Sequence, residues 1–209
     1  ISCFDDSSAA ATESGQLCFW GECVQGEHEP IREVSGDGLL WASVFFAHHP
    51  FWRWFAVTTD GQAFSFRMQN SFACSMVRRI ELPEGSVVCS AAVGHVHAVL
   101  LGTKGEVWTV SCLDKTLYLP GQAPTGNTAQ MGHGEDEEIV EGQPLLVKAL
   151  RRSRVEEVPA GEEDTLLKAV EVAAGHYHSI VKVEGGAIFV FGQEDGGRLG
   201  LGEGGRLGL

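Results

Sequence analysis

Two pairs of histidines stand at a spacing that metal chemistry uses. His95 is followed by His97, and His176 by His178. Residues two apart on a strand share a face, so each pair offers two imidazoles to one zinc ion. No carboxylate or cysteine stands at a familiar ligand spacing beside either pair. The same pair recurs in the same local frame, as a packing motif does, so it is read as structural and no metal or other cofactor is assigned. The run Gly200-Leu201-Gly202-Glu203-Gly204-Gly205 formally matches the dinucleotide fingerprint. It has no surrounding strand–helix–strand unit to aim backbone N–H groups at a phosphate, and it is read as linker glycine.

Nucleophilic and phosphoryl-transfer chemistry have no site in the sequence. It contains no Gly-x-Ser-x-Gly elbow, no phosphate-binding Walker loop and no His-Glu-x-x-His helix. The acidic pairs Glu137-Glu138 and Glu162-Glu163 fall in glycine-rich connecting stretches, where packing does not hold a catalytic carboxylate in place. The chain is therefore read as a binding module and not an enzyme. Trp52, Arg53 and Trp54, within the run Phe51-Trp52-Arg53-Trp54-Phe55, are the candidate partner-binding residues, since exposed Trp and Arg make binding hot spots. The competing reading buries both faces of that strand between neighbouring sheets.

Charge narrows the partners. Twenty-eight acidic against fifteen basic side chains give a formal charge of −13, which repels phosphates, so nucleic acid and anionic membrane are not expected as direct partners. No apolar run approaches the roughly 18 residues that span a bilayer, and no leader segment opens the sequence. Six cysteines are scattered without a Cys-x-x-Cys pair, which fits a reducing intracellular compartment. The chain begins at Ile1 instead of methionine, and it is expected to be an excerpt of a longer protein.

The elements that position these residues come from an internal repeat. Gly94-His95-Val96-His97 and Gly175-His176-Tyr177-His178 each lead, eleven residues on, to a glycine (Gly105, Gly186), and fourteen residues on to an aromatic side chain (Trp108, Phe189). Weaker copies centre on Gly15, whose Trp20-Gly21 falls where Phe191-Gly192 falls, and on Asp60-Gly61. Each copy reads as apolar residues, a turn closed by glycine, then alternating apolar residues, which is the grammar of a β-hairpin. Ile188 and Val190 alternate with Phe189 and Phe191, a pattern that suits a strand packed on both faces. The turn glycines are 46, 44 and 81 residues apart, so each repeat holds one small sheet and the last interval an added stretch.

The segment Val172-Ala173-Ala174-Gly175-His176-Tyr177-His178-Ser179, with Gly192 and the following Gly196-Gly197-Arg198-Leu199-Gly200-Leu201-Gly202, resembles the repeat signature of the regulator-of-chromosome-condensation family. Gly132-His133-Gly134 and Pro144 to Leu150 resemble the family's connection into the next blade. The resemblance implies an all-β chain, a β-propeller of four-stranded blades, seven in the usual form. Seven blades at this spacing need roughly 300 residues or more, so about four are expected here. They are placed around 1–36, 37–84, 85–124 and 166–202, with an acidic insertion at 125–165 and an atypical tail at 203–209. Gly94, His95, His97, Gly105, Gly175, His176, His178, Gly186 and Gly192 are the structural signature residues. The implied role is a protein-interaction scaffold, its ring completed by further blades of the same or another chain. Two alternatives accompany it: guanine-nucleotide exchange on a Ran-like small GTPase, and substrate recruitment within a larger multidomain protein.

Overall fold

The computed structural model describes residues 1–4, 7–21, 32–34, 38–46, 53–68, 74–111, 130–133, 140, 142–151, 163–193 and 199. These residues form four antiparallel sheets. The first is β1 (Ser2–Phe4), β2 (Ser7–Ala11), β3 (Leu17–Gly21) and β4 (Arg32–Val34). The second is β5 (Trp41–Phe46), β6 (Arg53–Thr58), β7 (Ala63–Met68) and β8 (Cys74–Arg79). The third is β9 (Val88–Val93), β10 (His97–Gly102), β11 (Val107–Ser111) and β12 (Pro144–Leu146). The fourth is β13 (Ala169–Ala174), β14 (His178–Val183) and β15 (Ile188–Gly192). Within every sheet the strands lie in chain order, each paired to the next. Among the described residues no helix is long and apolar enough to cross a membrane.

All four expected hinges close the hairpin between second and third strands. Gly15, Gly61, Gly105 and Gly186 have φ of 79°, 80°, 87° and 90°, the left-handed region that a side chain resists. In each turn the glycine N–H donates to the carbonyl three residues earlier, from Gly15 to Thr12 and from Gly105 to Gly102, for example. At Asp60-Gly61 the Thr58 hydroxyl and the Gln62 amide donate to the Asp60 carboxylate and hold its pKa below the ordinary value.

The hinges also join one sheet to the next. The N–H of Trp41, which opens the second sheet, donates to Gly15 O at 2.9 Å; Val88 does the same to Gly61 O and Ala169 to Gly105 O, both at 2.9 Å. The residue just before each of these returns a carbonyl to its own sheet's hairpin, with Thr59 N–H on Leu40 O, Thr103 N–H on Val87 O and Glu184 N–H on Lys168 O, all at 2.8 Å. The chain passes so close that a Cβ at Gly15 would lie 2.9 Å from Leu40 Cβ, and one at Gly105 would lie 2.7 Å from Lys168 Cβ.

Strand alternation divides the apolar residues between successive interfaces. On β6, Trp54 and Ala56 enter a core with Leu17, Phe19 and Trp41, whereas Phe55 and Val57 face a second core with Val88, Leu100 and Trp108. On β10, Ala98 and Leu100 face that second core while Val99 and Leu101 enter a third, with Val107, Val181 and Phe189. Each middle sheet is thus buried on both faces, and the first strands of neighbouring sheets pack on one another.

Three expectations change. Residues 144–146, inside the stretch read as an acidic insertion at 125–165, are strand β12 and complete the third sheet, Leu146 pairing with Trp108. That three-residue strand is too short to show a period. The fourth sheet has only one buried face on β15: Phe189 and Phe191 pack on the third sheet, but Ile188 is 63% exposed. Trp54, a candidate partner-binding residue, is 0% exposed and meets Phe19 edge-on at 4.4 Å, so it is a core side chain. Trp52 and the side chain of Arg53 lie outside the described residues, as does the 203–209 tail.

Gly105→Ala should lower unfolding free energy by about 2–4 kcal/mol, combining the left-handed backbone penalty with overpacking against Lys168. Gly186→Ala meets open space and should cost only the backbone term, about 1–2 kcal/mol. Denaturant melts of the two variants check this, and equal losses would contradict it.

Candidate interaction surface

The turns joining the first two strands of the third and fourth sheets bring the histidine motifs together. His97 and His178 open their strands, whereas His95 and His176 lie in the preceding bends. The expectation that each His-x-His pair shares one strand face therefore fails, because the first member has not yet entered the strand. Gly94 and Gly175 explain the motif's glycine: a Cβ at either would collide with the imidazole three residues on, His97 or His178. Gly192 has φ 139° and lies against the backbone of Tyr177 and His178, where Gln193 N–H donates to Tyr177 O at 2.9 Å.

His95 and His176 pair across sheets instead of within them. Their rings stack with centroids 4.2 Å apart and 38° between planes, and Tyr177 stands edge-on to both, at 5.4 Å from His95 and 4.4 Å from His176. The backbone reinforces the contact, His95 N–H donating to His176 O at 3.0 Å. His176 is exposed and Tyr177 half-buried. Two imidazoles and a phenol in the bends before the second strands form an aromatic cluster with polar edges, and Tyr177 is of the residue types enriched in interface hot spots.

Behind this cluster lies a serine–histidine pair that resembles a nucleophile and its base. His97 Nε2 is 2.8 Å from Ser179 Oγ. Ser179 Oγ also donates to Gln130 O at 2.8 Å. A hydroxyl has one proton, and it goes to the Gln130 carbonyl, so the proton in the imidazole–hydroxyl bond belongs to Nε2. The imidazole is a donor here and cannot take the serine proton. Both side chains are buried, Ser179 at 0% and His97 at 1% exposure, with no room for a substrate. The same arrangement recurs nearby: Thr109 Oγ1 donates to Met131 O at 3.0 Å and lies 2.7 Å from His133 Nε2. Burial, and then the neighbouring His178, push the pKa of His97 down to about 4.

These hydroxyl bridges tie residues 130–133 between the third and fourth sheets, and a Cβ on Gly132 would touch the Phe191 ring at 3.0 Å. From sequence, Gln130 and Thr109 had no role, and Ser179 and His133 stood only within the stretches that resemble the family's repeat and connection. Ser179 has Ala98 at its place in the preceding repeat, so the repeat itself gave no signal. Among the described residues no group of three or more side chains is gathered that could hold a metal ion.

No protein-family model matches the chain. Over 97% of its length the chain is 24% identical to the human E3 ubiquitin-protein ligase HERC2, of which it covers 4%. Over 54% of its length it is 29% identical to the Regulator of chromosome condensation of Xenopus laevis, of which it covers 20%. Among solved structures it is similar to Prp20p of Saccharomyces cerevisiae, described with its binding properties to Gsp1p and histones. That match has a TM-score of 0.59 and 19% identity, over 94% of this chain and 45% of that one. The chain thus spans a minor part of each curated relative.

Stability should fall on acidification because of His97. Its folded pKa lies below the ordinary 6.5, so its contribution is complete above pH 6.5 and is lost as pH falls towards about 4, on the order of 3 kcal/mol in all. His97→Gln keeps an N–H donor without a titrating ring, and the variant's pH slope between 6.5 and 4 should be the flatter in denaturant titrations. Ser179→Ala strands the Gln130 carbonyl and the His97 N–H, at about 1–3 kcal/mol for each.

Proposed function

Since the four sheets are β-propeller blades of the chromosome-condensation-regulator type, we propose that this chain is a protein-interaction scaffold without bond chemistry of its own. The observation that carries this reading is the cross-sheet cluster of His95, His176 and Tyr177. Two consecutive repeats present it from the turns that lead into their second strands, with His176 exposed. Propeller faces dock partners through such inter-strand turns, with the sheets as a fixed frame. The serine–histidine pair that could have argued for an enzyme has its protons committed to structural bonds.

The similarity to a large ubiquitin ligase favours one version of this role. The chain aligns along nearly all its length with a small part of that protein, which fits a recruiting segment inside a multidomain polypeptide. A Ran-like small GTPase is the other partner class to test, because the yeast propeller of similar fold is described as binding Gsp1p.

Purified chain and a nucleotide-loaded Ran-like GTPase separate the readings. Binding without faster nucleotide release supports the scaffold, and accelerated release moves the assignment to exchange. A His176→Ala, Tyr177→Ala double variant should bind its protein partner at least about tenfold more weakly, as expected for a hot spot, with an unchanged melt. Turnover of a small molecule by a chain that captures no protein would overturn the proposal.

A further inference from the structure

Between the third and fourth sheets the connection is longer than at the preceding interface. Ile80 and Val147 hold the same place, each donating its N–H at 2.9 Å to the carbonyl of the residue two after a hinge glycine, Ala63 or Val107. From there the chain runs from 80 to 88 in one case, and from 147 to 169 in the other, before Val88 or Ala169 bonds to the hinge carbonyl. Within the longer connection, beside Gly105, lies a cavity of about 200 Å³. Val107, Val147 and Leu150 are its buried walls, at 1%, 1% and 2% exposure, and Leu166 stands at its mouth, 40% exposed. Leu167 N–H donates to Leu150 O at 2.7 Å, and an isolated bridge pairs Arg151 with Leu166, so backbone contacts hold the walls in place. The Gly105 turn lies at the other end of β10 from the His95 bend, which sets the cavity apart from the histidine cluster.

Size and charge limit what can enter. A cavity of about 150 Å³ holds benzene, and pockets for drug-sized ligands begin at about 300 Å³, so this one matches a single large apolar side chain. Its rim carries Lys104 and Lys168 against one carboxylate, Glu106, which makes it locally basic on a chain of formal charge −13. Glu106 already accepts the Lys104 backbone N–H at 3.1 Å, and Lys104 Nζ donates to Gly85 O at 3.4 Å. Lys168 is exposed, with its Cβ seated over Gly105, and its ammonium makes no hydrogen bond or ion pair with a described residue.

We infer that this cavity is a second docking site, which takes one leucine-sized side chain from an extended acidic segment of a protein partner, with the neighbouring carboxylate of that segment against Lys168. Burial of the side chain supplies the affinity. The ion pair is exposed, and it selects the partner more than it holds it. The inference rests on the scaffold reading for its kind of partner, and it uses none of the residues of the histidine cluster.

Methyl NMR of the full 209-residue chain, titrated with the end-blocked tripeptide Asp-Leu-Asp, tests this. The methyl signals of Val107, Leu150 and Leu166 should shift and saturate, and the peptide Asp-Ala-Asp should bind at least about tenfold more weakly. Lys168→Gln keeps the Cβ over Gly105 and should weaken Asp-Leu-Asp by about two- to fivefold, yet leave the binding of Asn-Leu-Asn unchanged. Three outcomes overturn the proposal: no saturable shift at these methyls, equal binding of Asp-Ala-Asp, or binding of 4-methylpentanoate as tight as that of the peptide, which assigns the cavity to a free small acid. The readout is local to the cavity, so its failure leaves the test of the His95, His176 and Tyr177 surface standing.

Discussion

The array depends on a carbonyl. At the hinges Gly15, Gly61 and Gly105, glycine in a left-handed conformation closes the turn and leaves its C=O for the first N–H of the following sheet, while the missing side chain lets that sheet pass at van der Waals distance. An L-residue would turn the backbone less willingly and hold the neighbour off. One residue type therefore meets three demands: the turn, the intersheet hydrogen bond and the close approach.

The apolar cores follow from this joint. Once hinge and first strand are fixed, successive side chains on β6 and β10 must point to opposite interfaces, and a sheet becomes the back wall of one core and the front wall of the next. Trp54 and Phe55 are adjacent in sequence and belong to different interfaces. Packing between sheets, more than pairing within them, makes the described residues one array. The His97–Ser179–Gln130 chain is its polar counterpart: every donor reaches an acceptor of another segment, which fixes the relative placement of the third sheet, the fourth sheet and the 130–133 turn.

That packing also creates the surface to which a binding role is proposed. His95, His176 and Tyr177 are brought together because equivalent turns of consecutive repeats lie side by side, and two sheets are required for the cluster to exist. A preformed surface lowers the ordering cost of association, which is why the proposed role suits this place in the fold.

Repeat, hinge glycines and sheet number were legible in the amino-acid order, because positive-φ turns and strand alternation are local demands answered by local residue types. Gly15 and Gly61 could be found even where the histidines and the leading glycine are missing. The roles of individual side chains were not legible in the same way. A strand buried on both sides presents Trp54 just as a binding strand would. The sequence could not say that His95 pairs with His176 instead of His97, that β12 arises from a glycine- and acid-rich stretch, or that Ser179 spends its proton on Gln130. Each depends on which segment lies opposite, a contact between residues tens of positions apart, and only the tertiary packing of one sheet on another decides it.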